Sequence, residues 1–82
     1  MNDVVRRNIN TEQARQVSKW GNQNHTPLRW LPILTEEVGE VAKAVNENDG
    51  EAYRAELVQV AAVATSMIEC YDRQMKEAEE DG

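Results

Sequence analysis

The sequence predicts an all-α domain, a bundle of antiparallel helices completed by dimerisation, and three observations carry that prediction. Apolar residues recur at steps of three and four through most of the chain, the spacing of one helical face. The two longest such stretches are joined by a short run of helix-stopping residues, Asn46-Glu47-Asn48-Asp49-Gly50, which forces the chain back on itself. The last stretch also carries two adjoining apolar stripes, more than a chain of 82 residues can cover by itself. No βαβ alternation, internal repeat or low-complexity linker interrupts this pattern.

Taken in order, residues 1–10 have little periodicity and are expected to fray in part. Asn10 with Gln13 resembles a capping box and Gly21 a helix stop, with Ala14, Val17 and Trp20 between them, so a first helix is expected over about 11–20. Residues 21–26 form a polar loop. Thr26-Pro27 then supplies an N-cap and a first helical position. The second helix runs to about Asn46 along Leu34, Val38, Val41 and Val45, with Pro32 expected to kink it or to set 27–31 apart. The third helix is expected over about 51–76. Its main stripe is Tyr53, Leu57, Val60, Ala64, Met67, Ile68, Tyr71 and Met75, and beside it lie Ala52, Glu56, Gln59, Val63, Ser66 and Cys70. Two buried faces call for more than one packing partner, hence a homodimer or a higher homo-oligomer. Glu77, Glu79, Glu80 and Asp81 read as a solvated acidic tail over 77–82, outside an ordered core of about 11–76.

Composition narrows the function. The length allows one domain, 1–82. A single cysteine, Cys70, permits neither an intrachain disulfide nor a Cys-based zinc site and suits a reducing cytoplasm. No run approaches the roughly 18 apolar residues of a membrane span, and Met1-Asn2-Asp3-Val4-Val5-Arg6-Arg7 does not lead into a signal-peptide core. The expectation is a cytoplasmic protein with no membrane partner. Fifteen acidic against nine basic residues give a net charge of −6, which disfavours a nucleic acid polymer as partner. Phosphate compounds remain open to such a protein when a divalent cation mediates.

Thr35-Glu36-Glu37-Val38-Gly39-Glu40 is the stretch with the most chemistry in it. Glu37 and Glu40 border the apolar stripe of the second helix, one turn apart, while Glu36 points away. Glu56 follows on the next helix. Carboxylates from two packed helices can hold a hard divalent cation through oxygen ligands. A solvated acidic face is the other reading of the same residues.

With these residues in view, the chain resembles the MazG-like all-α nucleotide pyrophosphohydrolases, in their small single-domain form. Their motif is Glu-x-x-Glu on one helix and Glu-x-x-Asp on the next. Here the first half is Glu37-Val38-Gly39-Glu40 and the second is Glu56-Leu57-Val58-Gln59, and the likeness covers about residues 17–72, including Lys19-Trp20-Gly21-Asn22-Gln23-Asn24-His25. The resemblance implies a nucleoside triphosphate substrate, cleavage to monophosphate and pyrophosphate, and Mg²⁺ or Mn²⁺ held by Glu37, Glu40 and Glu56. It also implies paired acidic helices from two subunits. Gln59 stands where the family carries Asp. It offers one neutral carbonyl oxygen in place of a charged acceptor, and serves as a ligand or as a neighbour that orients Glu56 or a bound water.

Other residues have two readings each. His25, twelve residues before Glu37, matches the spacing of a His beside the nucleotide in related dCTP-cleaving enzymes, and is also an ordinary loop residue. Trp20 and Trp30 can stack on a base or anchor a helix, and Trp30 is expected in the core. Lys43 is expected in a surface ion pair and Cys70 as a small buried hydrophobe. Three functions follow: a pyrophosphohydrolase clearing non-standard nucleotides, a nucleotide-binding relative with little turnover, and a helical interaction module.

Overall fold

The structure is a computed structural model that describes residues 1–81. It is all-α: α1 spans Asp3–Trp20, α2 Pro27–Asn46 and α3 Gly50–Asp81. At a rise of about 1.5 Å per residue, α3 alone accounts for the longest dimension of the molecule, 51 Å. Both other helices pack on α3, and among the described residues no Cα of α1 lies within 8 Å of a Cα of α2. α3 is therefore the spine. α2 runs antiparallel to it, as the short turn at 47–49 requires. α1 runs in the same sense as α3, with its first half beside residues 54–59 and its end and the following loop beside residues 63–73. Antiparallel packing holds for α2 with α3 and not for α1.

α1 begins well before residue 11. Asn2 is its N-cap, with the side-chain oxygen accepting from the Val5 amide at 2.9 Å, and Asp3 lies in the first turn where the helix dipole favours a carboxylate. Asn10 is thus an interior helical residue, and Ile9 is buried on α3 rather than frayed. Gly21 ends the helix as expected, its amide donating to the Val17 carbonyl at 2.7 Å. Thr26 caps α2 by accepting from the Arg29 amide at 3.3 Å, with Pro27 at the start. Residues 27–31 are not a separate turn, because α2 continues through Pro32. Pro32 denies the Leu28 carbonyl its usual donor, but Leu28 is exposed and water can take that place. Asn48 adopts a left-handed conformation (φ 55°), and Asp49 caps α3 by accepting from the Ala52 amide at 3.0 Å. α3 then runs past residue 76, so the acidic tail is helical through Asp81 and exposed over 77–80. Gly82 lies outside the described residues.

The core inverts the expected order of the two stripes on α3. Ala62, Val63 and Cys70 are buried, while Tyr53, Leu57, Ile68, Tyr71 and Met75 are exposed. The small side chains lie on the face that α1 and α2 use, where they let helices approach closely. Trp30 fills the space left, packed with Val63 and Cys70 and flanked by Ile33, Leu34 and Met67. Val38 and Val45 of α2, also expected inside, are half exposed or more. No helix among the described residues is long and apolar enough to cross a membrane.

Candidate functional site

Glu37 of α2 and Glu56 of α3 lie within electrostatic reach of one another. Glu37 is half-buried, and burial is the first cause that pushes its carboxyl above the ordinary range. The negative charges of Glu56, Glu36, Glu40 and Glu12 add to the effect in that order. Glu56 from α3 is the largest of these charges, so the helices do bring the motif halves into electrostatic contact. Glu36, expected to point away, is exposed, yet its charge is still felt at Glu37. The donor set suits a hard divalent cation: it consists of carboxylates from different helices whose mutual repulsion a cation relieves. Among the described residues no three His, Cys, Asp or Glu side chains stand close enough together to hold one ion.

Glu12 is a further carboxylate felt at Glu37 that sequence reasoning did not single out. It lies on α1, and its side chain is only 14% exposed. Arg15 grips both of its oxygens, with Nε at 3.0 Å from each and Nη2 at 2.7 Å from Oε2. That pairing holds the Glu12 carboxyl below the ordinary range, against the opposing effect of burial. Gln16 Nε2 donates to Glu12 Oε2 at 3.3 Å and to Gln59 Oε1 at 3.0 Å. The signal was faint because α1 is weakly amphipathic, and only its packing on α3 turns Glu12 inward.

Gln59 therefore has a definite neighbour. Its carbonyl oxygen, the atom that would replace a carboxylate ligand, accepts from Gln16. A second polar tie lies further along, where Gln13 Nε2 donates to Glu69 Oε1 at 2.7 Å and to Ser66 Oγ at 3.3 Å. The ion pairs among the described residues are Arg6 with Asp3 and Arg15 with Glu12, and Lys43 is in neither.

The aromatic and loop candidates stand elsewhere. The His25 ring meets Trp30 edge-on, with centroids 4.9 Å apart. Its carbonyl accepts from Gln74 Nε2 at 3.0 Å and from the Cys70 thiol at 3.5 Å. Cys70 is some fourteen residues beyond Glu56 on α3, a rise of about 20 Å, so His25 is not beside the carboxylates of its own chain. It borders instead an apolar cavity of about 250 Å³ with Trp30, Met67, Ile68 and Tyr71. Arg73 closes the loop before it, donating to Asn24 Oδ1 at 3.0 Å. Trp20 is exposed at the end of α1, with the Lys19 ammonium 4.9 Å from its ring centroid. Trp30 is in the core as expected, and its buried indole N–H lacks a hydrogen-bond partner. Cys70 is buried.

Comparison with known proteins adds one finding. The family model described as the MazG nucleotide pyrophosphohydrolase domain matches residues 25–80, which covers α2 and nearly all of α3 but not α1. No curated protein and no solved structure matches the chain.

Proposed function

The chain belongs to the MazG nucleotide pyrophosphohydrolase family, and from that membership we propose that it hydrolyses a nucleoside triphosphate to the monophosphate and pyrophosphate, with Mg²⁺ or Mn²⁺, as a homodimer or higher homo-oligomer. The observation that supports this reading is the half-buried Glu37 of α2, whose carboxyl is raised by burial and by the charges of Glu56 on α3 and Glu40 on its own helix. These three glutamates are the proposed catalytic and cation-holding groups. The cation, when bound, neutralises phosphate charge and acidifies a water for attack on phosphorus. The glutamates fix where that charge sits between α2 and α3. Glu37 and Glu56 are half-buried, which strengthens the interactions made there relative to bulk water.

His25 and Trp20 are proposed to contact substrate. His25 does so beside the apolar cavity at the far end of the α2–α3 pair. That cavity reaches the carboxylates only if a second copy of the chain brings its own acidic pair alongside, which is one reason to favour a dimer. The exposed apolar residues Leu57, Ile68, Tyr71 and Met75 are the other. Clearance of non-standard nucleotides is the proposed role.

The test is a panel of canonical and modified nucleoside triphosphates with Mg²⁺ and Mn²⁺, read for pyrophosphate and monophosphate. Release of both from at least one substrate, lost in Glu40→Gln, is the expected result. Stepwise release of inorganic phosphate would contradict it. A second reading, nucleotide binding with little turnover, draws on the neutral Gln59 and its engagement with Gln16. Tight nucleotide binding without products would favour that reading. Absence of both binding and products would return the chain to a helical interaction module.

A further inference from the structure

We propose that Arg73 and Gln74 of α3 are positioning residues for substrate binding: they hold the loop before α2 so that His25 forms one wall of the apolar cavity. The inference rests on the reading that His25 contacts substrate there, and it names the groups that put His25 in place.

The loop has little of its own to fix it. Residues 21–26 are outside any helix, and among the described residues no backbone–backbone hydrogen bond involves residues 22–25. A polar segment of this kind buries too little apolar surface to offset its conformational entropy. Its restraints come from α3. Arg73 Nη2 donates to Asn24 Oδ1 at 3.0 Å and to the Gln23 carbonyl at 3.4 Å, and Arg73 Nε donates to the same Asn24 oxygen at 3.3 Å. Gln74 Nε2 donates to the His25 carbonyl at 3.0 Å, and the Cys70 thiol adds a weaker contact at 3.5 Å. Three consecutive loop residues are thus tied to one turn of α3. His25 is held at its carbonyl, while its ring meets Trp30 edge-on and borders the cavity.

Arg73 does not behave as a cation on a solvated helix face. Glu69 and Glu77 stand four residues before and after it, and a Glu four residues ahead of an Arg is the favoured order for a helical ion pair. Among the described residues Arg73 pairs with neither. Glu69 accepts from Gln13 instead. The planar guanidinium spans a loop side chain and a loop carbonyl, a two-point hold that a point charge would not give. Gln74 lies in the wall of the cavity itself, beside the residue it holds. These donors set where the His25 ring stands relative to anything that enters the cavity. Their loss should therefore weaken substrate binding and leave the chemical step nearly unchanged.

The experiment compares Gln74→Leu and Arg73→Ala with the wild type as full chains, with helicity checked by circular dichroism. One readout needs neither cation nor nucleotide. In a Trp20→Phe background, where Trp30 is the emitter, acrylamide quenching should rise about twofold in both variants as the loop opens locally. The other readout, with Trp20 in place, is steady-state cleavage of the canonical and modified nucleoside triphosphates of the panel above. KM should rise about three- to tenfold, in line with a lost hydrogen bond, and kcat should stay within about twofold. In a His25→Ala background, Gln74→Leu should change KM by less than about twofold, because the group it holds is gone. A full rise in that background would overturn the inference, since Gln74 would then meet substrate directly. Unchanged KM in both single variants would overturn it too, because the ties would serve the fold alone, and so would unchanged quenching. Each of these results leaves the hydrolase reading standing, because wild-type turnover is measured alongside. A wild type that cleaves no triphosphate removes that reading, and this inference with it. Should Arg73→Ala lose helicity, Gln74→Leu decides alone by the same readouts.

Discussion

At Glu37 a half-buried carboxyl faces the charges of Glu56, Glu36, Glu40 and Glu12, so its ionised form works against the fold. A carboxyl with a raised folded-state pKa stabilises the protein below its unfolded pKa, and that contribution is lost as pH rises through the folded value. Glu37→Gln keeps the side chain neutral at every pH. It should therefore be more stable than the wild type at pH 7, by roughly 0.5–1 kcal/mol, and equal to it below the ordinary carboxylate range. Urea unfolding at both pH values, at one protein concentration and without divalent cations, checks the sign. The two tryptophans make a second contrast at this scale. Trp30→Ala should cost about 3–5 kcal/mol, because the ring is 3% exposed and anchors the core cluster. Trp20→Ala should stay within about 0.5 kcal/mol, since Trp20 is 63% exposed. Acrylamide should quench fluorescence freely in Trp30→Phe, where Trp20 is the emitter, and poorly in Trp20→Phe.

At the scale of the element, the helix ends are governed by local chemistry and their effects should be local. Gly21 ends α1 at φ 75°, ψ 179°, a backbone region almost closed to side chains. Space is open around its Cβ position, so substitution meets no neighbour and the cost is conformational alone. Gly21→Ala should destabilise by about 1–3 kcal/mol, with hydrogen exchange faster in the last turn of α1 than elsewhere. Loss of that turn would also loosen the Gln13 and Gln16 ties to α3, which connects a helix stop to the acidic site. Fast exchange spread evenly over all three helices would instead mark Gly21 as a global determinant.

At the scale of the whole molecule, α3 buries its small-residue face within the chain and leaves its large apolar side chains outside. Leu57, Ile68, Tyr71 and Met75 on α3, and Leu31, Val38 and Val45 on α2, are exposed apolar side chains, which is what an interface between copies would cover. Sedimentation should give at least twice the chain mass at micromolar concentration. Ile68→Glu and Tyr71→Glu should each weaken self-association by more than about 1 kcal/mol, shifting the species toward monomer on dilution. A folded wild-type monomer over the whole dilution series would remove the dimer, and with it the route by which His25 reaches the carboxylates.

The sequence by itself determined that the chain is helical and where its turns fall. Periodicity, caps such as Thr26, stops such as Gly21 and the turn at 46–50 are local signals, written within a few residues of where they act. One of them misled: Asn10 and Gln13 fit a capping box, but Asn2 caps α1, and the helix carries the buried Ile9 before residue 10. Pro32 does not divide α2. Which stripe of α3 lies inside was decided only by tertiary structure, because both carry apolar residues and helix packing selects the one whose small side chains allow close approach. The same holds for Glu12, Gln16 and Gln59. They lie far apart in sequence on helices of weak or mixed pattern, and it is the seating of α1 along α3 that sets one amide nitrogen between their oxygens.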